Sequence, residues 1–327
     1  MIRKKRILLA LILAIITLLL TGYAFSDRNK FKTYPIKDKL YLSSNSSDKI
    51  LNKFDFAFIL NTDPRYCGRN NGQDLLLIAF VPISPNAVEA RTQIRTTWAS
   101  ADFLSPSTGK VVFVLGKSGS ARVNSELKLE ARAYGDLVQS DFSDTYYNLT
   151  LKTIMGFKWV ASYCQNAKYT LKVDDDVVVN VRYLTRYLKE LFERDAHTKN
   201  SMLCIYNVNA SVVRNSSSKF YLSESEYSRS VFHPYCDGPA YIISTDLIQQ
   251  LVYYSRYVKL IKLEDVYVGL LARFTNASFI NMESAYMYEK ESRNLNRLLN
   301  VKQKLYKYFF LYAQNLKHKR LLWSFFV

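Results

Sequence analysis

The residues that most often advertise a function are scarce in this chain. Its 327 residues include only four Cys, three His, three Trp, seven Pro and ten Gly. Four Cys cannot stand in for a core at this length, which excludes a small disulfide scaffold. Low Gly and Pro, with no heptad or other repeat, exclude collagen-like, mucin-like and coiled-coil chains. No G-x-S-x-G elbow, Walker A loop or G-x-G-x-x-G turn occurs, so serine-hydrolase chemistry and the common phosphate loops have no support. His197 lies in a polar stretch and His233 precedes Pro234; neither sits in a ligand-like spacing.

What is present suits a large folded unit. Apolar residues make up 49% and charged residues 22%, with 25 Tyr and 19 Phe to fill a core. The net charge of +17 resembles a nucleic-acid signal, but the excess is terminal. One block is Arg3-Lys4-Lys5-Arg6; the other includes Arg293, Arg297, Lys302, Lys304, Lys307, Lys317, Lys319 and Arg320. The more balanced middle carries acidic motifs and no zinc-finger, RNA-recognition or basic-zipper pattern, so nucleic acid is not the expected partner.

Residues 7–26 contain no charge, and a window of about 20 apolar residues crosses a hydrocarbon core as a helix. The basic block ahead of it orients the chain with residues 1–6 cytoplasmic. A cleaved signal peptide ending near Gly22-Tyr23-Ala24 is the competing reading; the length of the run favours a single-pass type II anchor. Either route takes the rest into the lumen. Sequons at Asn45, Asn148, Asn209, Asn215 and Asn276 agree, since they are glycosylation candidates only there. Cys67, Cys164, Cys204 and Cys236 lack C-x-x-C spacing, which favours disulfides over zinc; the pairing, and whether a pair stays reduced, is open from spacing. Residues 27–72 read as a polar stem, with Phe54 to Leu60 suited to packing on the globular part at 73–327.

That part alternates strands and helices. Leu75 to Val81, Val111 to Gly116, Asp136 to Val138 and Tyr169 to Val173 read as buried strands. Ala87 to Trp98, Ser125 to Tyr134 (closed by Gly135), Leu149 to Ser162, and a stripe of Leu184, Leu188, Leu191 and Phe192 read as helices. The expectation is an α/β fold with a mostly parallel sheet. Phe309, Leu311, Tyr312 and Leu316 are expected to form an amphipathic helix in the tail.

Asp174-Asp175-Asp176 follows the fourth strand directly. Ligands of open α/β sheets bind beyond the carboxyl ends of strands, and oxygen ligands there suit Mg²⁺ or Mn²⁺ bridging phosphates. A solvated acidic turn is the plain alternative. Glu264-Asp265 heads a helical pattern, where acids can also simply complement the dipole. Arg91 and Arg95 share a helix face, placed to meet a diphosphate or an acidic neighbour.

In this order, Arg91-x-x-Ile94-Arg95-x-Thr97-Trp98, Asp141-Phe142-x-Asp144-x-Tyr146-x-Asn148-Leu149-Thr150-x-Lys152-Thr153, Lys172-x-Asp174-Asp175-Asp176-Val177, Pro234-Tyr235-x-x-Gly238-x-x-Tyr241 and Glu264-Asp265-Val266-Tyr267-Val268-Gly269 resemble the Golgi β1,3-glycosyltransferase family. The resemblance implies a GT-A fold and a metal-dependent, inverting hexosyltransferase that moves galactose from UDP-galactose to a hydroxyl of a glycan acceptor in β1,3 linkage. It makes Asp176 the Mn²⁺ (or Mg²⁺) ligand and Asp265 the general base. Arg91, Arg95, Asp174, Asp175, Gly238, Tyr241 and Glu264 become substrate-binding residues, and Cys67–Cys164 the expected bridge. It also implies a Golgi membrane location, with which the absence of a terminal retrieval tetrapeptide agrees.

Two departures stand out. Relatives usually carry a metal-ligand His after Glu-Asp-Val, yet none occurs here between Asp265 and His318, and the tail beyond Ser278 fits poorly. UDP-N-acetylglucosamine is the alternative donor. A catalytically silent lumenal chaperone or glycan-binding relative is the alternative class, opposed by the retained Asp174, Asp175, Asp176 and Asp265. A basic membrane-surface role for the tail is more distant.

Overall fold

The computed structural model describes residues 33–35, 50–194, 199–288, 307–313 and 315–327. The expected anchor at 7–26 and Asn45 lie outside them. Among the described residues, no helix is long and apolar enough to cross a membrane.

The main sheet is built on β2 (Leu77–Pro82), β3 (Gly109–Lys117), β4 (Leu137–Ser143) and β5 (Tyr169–Val173), which run parallel. Every residue of β2 and of β5 is buried, which is why both read as unbroken runs rather than alternations. β1 (Phe58–Leu60) lies antiparallel on β4. On the other side, β10 (Ala240–Ser244) runs antiparallel between β5 and β7 (Ser201–Cys204), and β11 (Ser278–Asn281) is parallel to β7. From β11 to β1 the order is β11-β7-β10-β5-β2-β3-β4-β1, while β8 (Tyr206–Asn207) and β9 (Tyr235–Cys236) form a separate antiparallel pair. The expected parallel core is there, but the sheet is mixed, because β1 and β10 are reversed.

The helices arise where expected, with sharper ends. α1 is Val88–Thr96, and α2 is Ala121–Tyr134. Ser120 caps α2 through its hydroxyl, and Gly135 closes it at φ 66°, where a side chain would be strained. α3 (Leu149–Tyr163) buries Ile154, Met155, Phe157, Trp159 and Val160. It is apolar nearly all round because it lies between the sheet and two further helices, α5 (Ile248–Ser255) and α6 (Glu264–Ala272). Gly156 permits that approach, since a Cβ there would meet the Phe80 ring at 2.8 Å. α4 (Val181–Arg194) turns Leu184 and Leu188 inward.

The packed unit reaches into the segment read as a stem. Phe54, Phe56 and Phe58 pack against the core, and Asn52 donates to the Ser255 and Val258 carbonyls. The tail also departs from expectation. Phe310–Tyr312 is a strand, β13, paired with β6 (Val177–Val179) and with β12 (Tyr286–Met287). A separate helix, α7 (Leu316–Trp323), follows. The aromatic run finds an open edge in Val177–Val179, and that pairing outweighs any helical spacing.

Two disulfides brace these pieces, Cys67–Cys164 across a sequence separation of 97 and Cys204–Cys236 across 32. Replacing Cys67 and Cys164 together with Ser lowers unfolding stability by about 2–5 kcal/mol. The measurement is a urea midpoint under oxidising conditions; an unchanged midpoint contradicts the bridge.

Candidate active site

The site forms where β5 ends. Lys172, wholly buried, is the penultimate residue of that strand, and its ammonium collects three neighbours. It lies 2.6 Å from the Asp174 carboxylate, 3.3 Å from that of Glu264 and 2.7 Å from the Gly238 carbonyl. Burial alone would pull the ammonium down, but Asp174 and Glu264 outweigh it and hold the group charged, well above its ordinary range. The buried Tyr241 hydroxyl donates to Glu264 at 2.5 Å, and its ring faces Lys172. Reversal of β10 makes this possible, because Tyr241 pairs with Lys172 and Ala240 with Val173. The same pairing sets the Asp174 amide against the Pro239 carbonyl at 2.8 Å. Tyr241 and Glu264 are thus the floor of the site.

Glu264 and Asp265 open α6, and a tight glycine contact holds that helix in place. A Cβ on Gly269 would stand 2.6 Å from the Pro234 carbonyl and 2.5 Å from the Tyr235 Cβ, so only Gly lets α6 press on the loop that carries Gly238. A Cβ on Gly238 would in turn meet Asp265 Oδ2 at 3.4 Å. Asp265 Oδ1 accepts from the Val266 amide, and unlike Asp174 and Glu264 it makes no ion pair among the described residues. Burial first, then the charge of Glu264, push its carboxyl up to about 6. Tyr146 and Tyr235 rim this position: burial, then the Asp265 charge, raises both phenols, that of Tyr235 to about 12.

The acidic turn is pinned from the C-terminus. The Ala313 amide donates to the Asp176 carbonyl at 2.8 Å, and Lys319 on α7 donates to the Asp175 carbonyl at 2.6 Å. Asp176 Oδ1 is buried without a hydrogen-bond partner. Burial, then Asp175, raises the Asp176 carboxyl, against the pull of Lys172, a Tyr312 hydrogen bond and Lys319. An orphaned, buried carboxylate oxygen fits one bond to a hard divalent cation. Among the described residues no group of three His, Cys, Asp or Glu side chains is placed to hold a metal. Water and ligand oxygens would complete such a shell. The residue that α7 brings to the turn is Lys319 and not a histidine; the His318 amide donates to the Asn315 side chain, which caps the helix.

The structure therefore brings Asp174, Asp175, Asp176, Gly238, Tyr241, Glu264 and Asp265 into one neighbourhood. Arg91 and Arg95 it employs elsewhere. The Arg91 guanidinium is fully buried, donating to both Glu130 oxygens at 2.7 Å and to the carbonyls of Ser84 and Pro85. Arg95 binds both oxygens of Asp136 at 2.8 Å and stacks on Tyr134. Asp136 heads β4, three strand spacings from β5, roughly 14 Å. Their acidic neighbours, rather than a diphosphate, take these guanidiniums. The Asp144 motif is also architectural, since Asp144 accepts from the Gly116 amide and pairs with Lys152 at 3.0 Å. Asn209, Asn215 and Asn276 are exposed and Asn148 half-buried. His233 contacts Arg273 at 2.6 Å. Residue order alone does not mark Lys172 or Lys319 for the site: Lys172 lies within an apolar strand run, and Lys319 within the basic stretch Lys317-His318-Lys319-Arg320.

A family model described as Galactosyltransferase matches residues 89–283. Mouse and human beta-1,3-galactosyltransferase 1 are each 30% identical over 269 residues, covering 80% of this chain and 80% of theirs. Human beta-1,3-galactosyltransferase 5 is 36% identical over 208 residues, 64% of this chain and 66% of its own. Among solved structures the likeness is distant, with a TM-score of 0.38 and 10% identity to the WbbM bifunctional glycosyltransferase over 74% of this chain and 46% of that one.

The Lys172 cluster makes a prediction independent of activity. Lys172→Met strands the buried Glu264 carboxylate and destabilises the fold by about 3–5 kcal/mol. Adding Glu264→Gln removes the stranded charge and restores part of the loss. Thermal melts of both variants are the check; a double variant no more stable than the single one contradicts the pairing.

Proposed function

This chain belongs to the galactosyltransferase family and is a hexosyltransferase, and on that premise we propose that it moves galactose from UDP-galactose onto a glycan hydroxyl in β1,3 linkage, with inversion. The observation that carries the chemistry is the contrast between Asp265 and its neighbours. Glu264 and Asp174 are tied to Lys172 and Tyr241, whereas Asp265 keeps a carboxylate oxygen toward Gly238. A base must be free to accept a proton, and Asp265 meets that requirement. It takes the acceptor hydroxyl proton as that oxygen attacks the anomeric carbon and UDP leaves from the opposite face. Asp174 and Asp175 orient the ribose and sugar, and the Gly238 backbone lets the donor lie close. A divalent cation, Mn²⁺ or Mg²⁺, would be held through Asp176 and would supply charge neutralisation to the departing diphosphate. The reading extends to a GT-A class fold, in keeping with the mixed α/β sheet, and to a Golgi membrane location with 7–26 as anchor and 27–72 as a lumenal stem whose later residues pack onto the 73–327 catalytic domain. Sequon occupancy at Asn45, Asn148, Asn209, Asn215 and Asn276 belongs to the same proposal.

The test uses the full chain in detergent, with UDP-galactose and UDP-N-acetylglucosamine and a panel of β-linked acceptors. Acceptor-stimulated UDP release with the galactose donor is expected to need Mn²⁺. Asp265→Asn is expected to lower kcat by about 10²–10⁴-fold. Preference for the N-acetylglucosamine donor would move the donor assignment. Binding of either donor without release on any acceptor would favour the silent relative.

The pH dependence has a definite sign. A base with its carboxyl raised to about 6 is protonated, and silent, at lower pH. We expect kcat/KM to fall as pH drops through about 6 and to level off above it. A profile flat from pH 5 to 8 would remove Asp265 from the role.

A further inference from the structure

We propose that Lys319 is a diphosphate-binding residue, the group through which the C-terminal helix enters the donor site. The inference rests on the nucleotide-sugar reading above and deepens it. Two buried groups at the acidic turn have binding capacity that the protein does not use. Lys319 is 7% exposed, a rare state for an ammonium without an ion-pair partner. It has three N–H donors, and the Asp175 carbonyl takes one of them. No other hydrogen bond or ion pair satisfies it among the described residues. On the same turn, Asp176 Oδ1 has no donor. One unfilled group asks for an anion and the other for a cation. A nucleoside diphosphate with its accompanying divalent ion supplies both at once: phosphate oxygens for Lys319, the ion for Asp176.

The fold goes to some length to place this ammonium. β13 zips onto Val177–Val179 directly after the triplet, and the Ala313 amide fastens the turn itself. Asn315 caps α7, and the Gln93 amide holds the Leu316 carbonyl at 3.1 Å. The start of the helix is thus fixed by two contacts, with the Lys319 ammonium reaching the acidic turn. A lysine is a point charge without the fork geometry of arginine, suited to a phosphate oxygen whose position shifts as the sugar departs.

Lys319→Met in the full chain tests this by ligand-observed NMR titration with two probes, UDP and uridine, each with Mn²⁺ and with chelator. Losing a charge-assisted contact to phosphate should raise the Kd for UDP by about ten- to a hundredfold in both conditions. Uridine, which has no phosphate, should bind within about twofold of the unmutated chain. Should the methionine variant fail to fold, Lys319→Gln keeps an N–H for the Asp175 carbonyl while removing the charge, and the same split is expected. Unchanged UDP affinity overturns the proposal, as does equal weakening of UDP and uridine, the mark of a purely structural lysine. If the unmutated chain binds neither probe, the nucleotide-sugar reading falls and this one with it; normal binding unaffected by the substitution defeats Lys319 alone.

Discussion

The active end of this molecule depends on one buried ammonium. Lys172 stands at the end of a strand with no exposed residue, where an unpaired charge would be ruinous. It is tolerated because Asp174, Glu264 and the Gly238 carbonyl converge on it from three separate parts of the chain. The dependence runs both ways. Without the ammonium, the Asp174 and Glu264 carboxylates would repel one another in a shielded pocket, and the loop bearing Gly238 would lose its anchor. The charge network therefore assembles the site as well as stabilising it, and it selects which acids are engaged and which is left to act.

Geometry around that network is set by close approaches that tolerate no side chain. Gly269 lets α6 press onto Pro234 and Tyr235, which fixes where Asp265 points. The reversed strand β10 carries Tyr241 beneath Glu264 and Pro239 beside Asp174. From the far end of the chain, β13 and α7 close the acidic turn and bring Lys319 to it. The triplet is thereby flanked by an ammonium on either side, Lys172 below and Lys319 from the tail. Such a setting favours a ligand that is itself strongly anionic.

Much of this could be read from residue order, for identifiable reasons. Buried parallel strands announce themselves as apolar runs, so β2, β3 and β5 were legible, as were the helices between them and the acids at the end of β5. What escaped depends on partners distant in sequence. β13 is a strand because Val177–Val179, some 130 positions earlier, offers it an edge, and nothing local to Phe310–Tyr312 says so. Arg91 and Arg95 looked like anion binders because a guanidinium's chemistry is the same whether it meets phosphate or carboxylate. Only the fold shows that Glu130 and Asp136 have taken them. Lys319 was hidden in Lys317-His318-Lys319-Arg320, a run that reads as solvated charge until the helix shows which of the four turns inward.

On the proposed reading Asp265, whose carboxylate is not tied to Lys172, drives a single direct displacement at the sugar. Its most direct test is the anomeric configuration of the product, read by proton NMR as transfer from α-linked UDP-galactose proceeds. A β-linked product appearing first, with no α-linked precursor, is the predicted result. An α-linked product would remove Asp265 from that role, since retention requires a second displacement that a lone base does not perform.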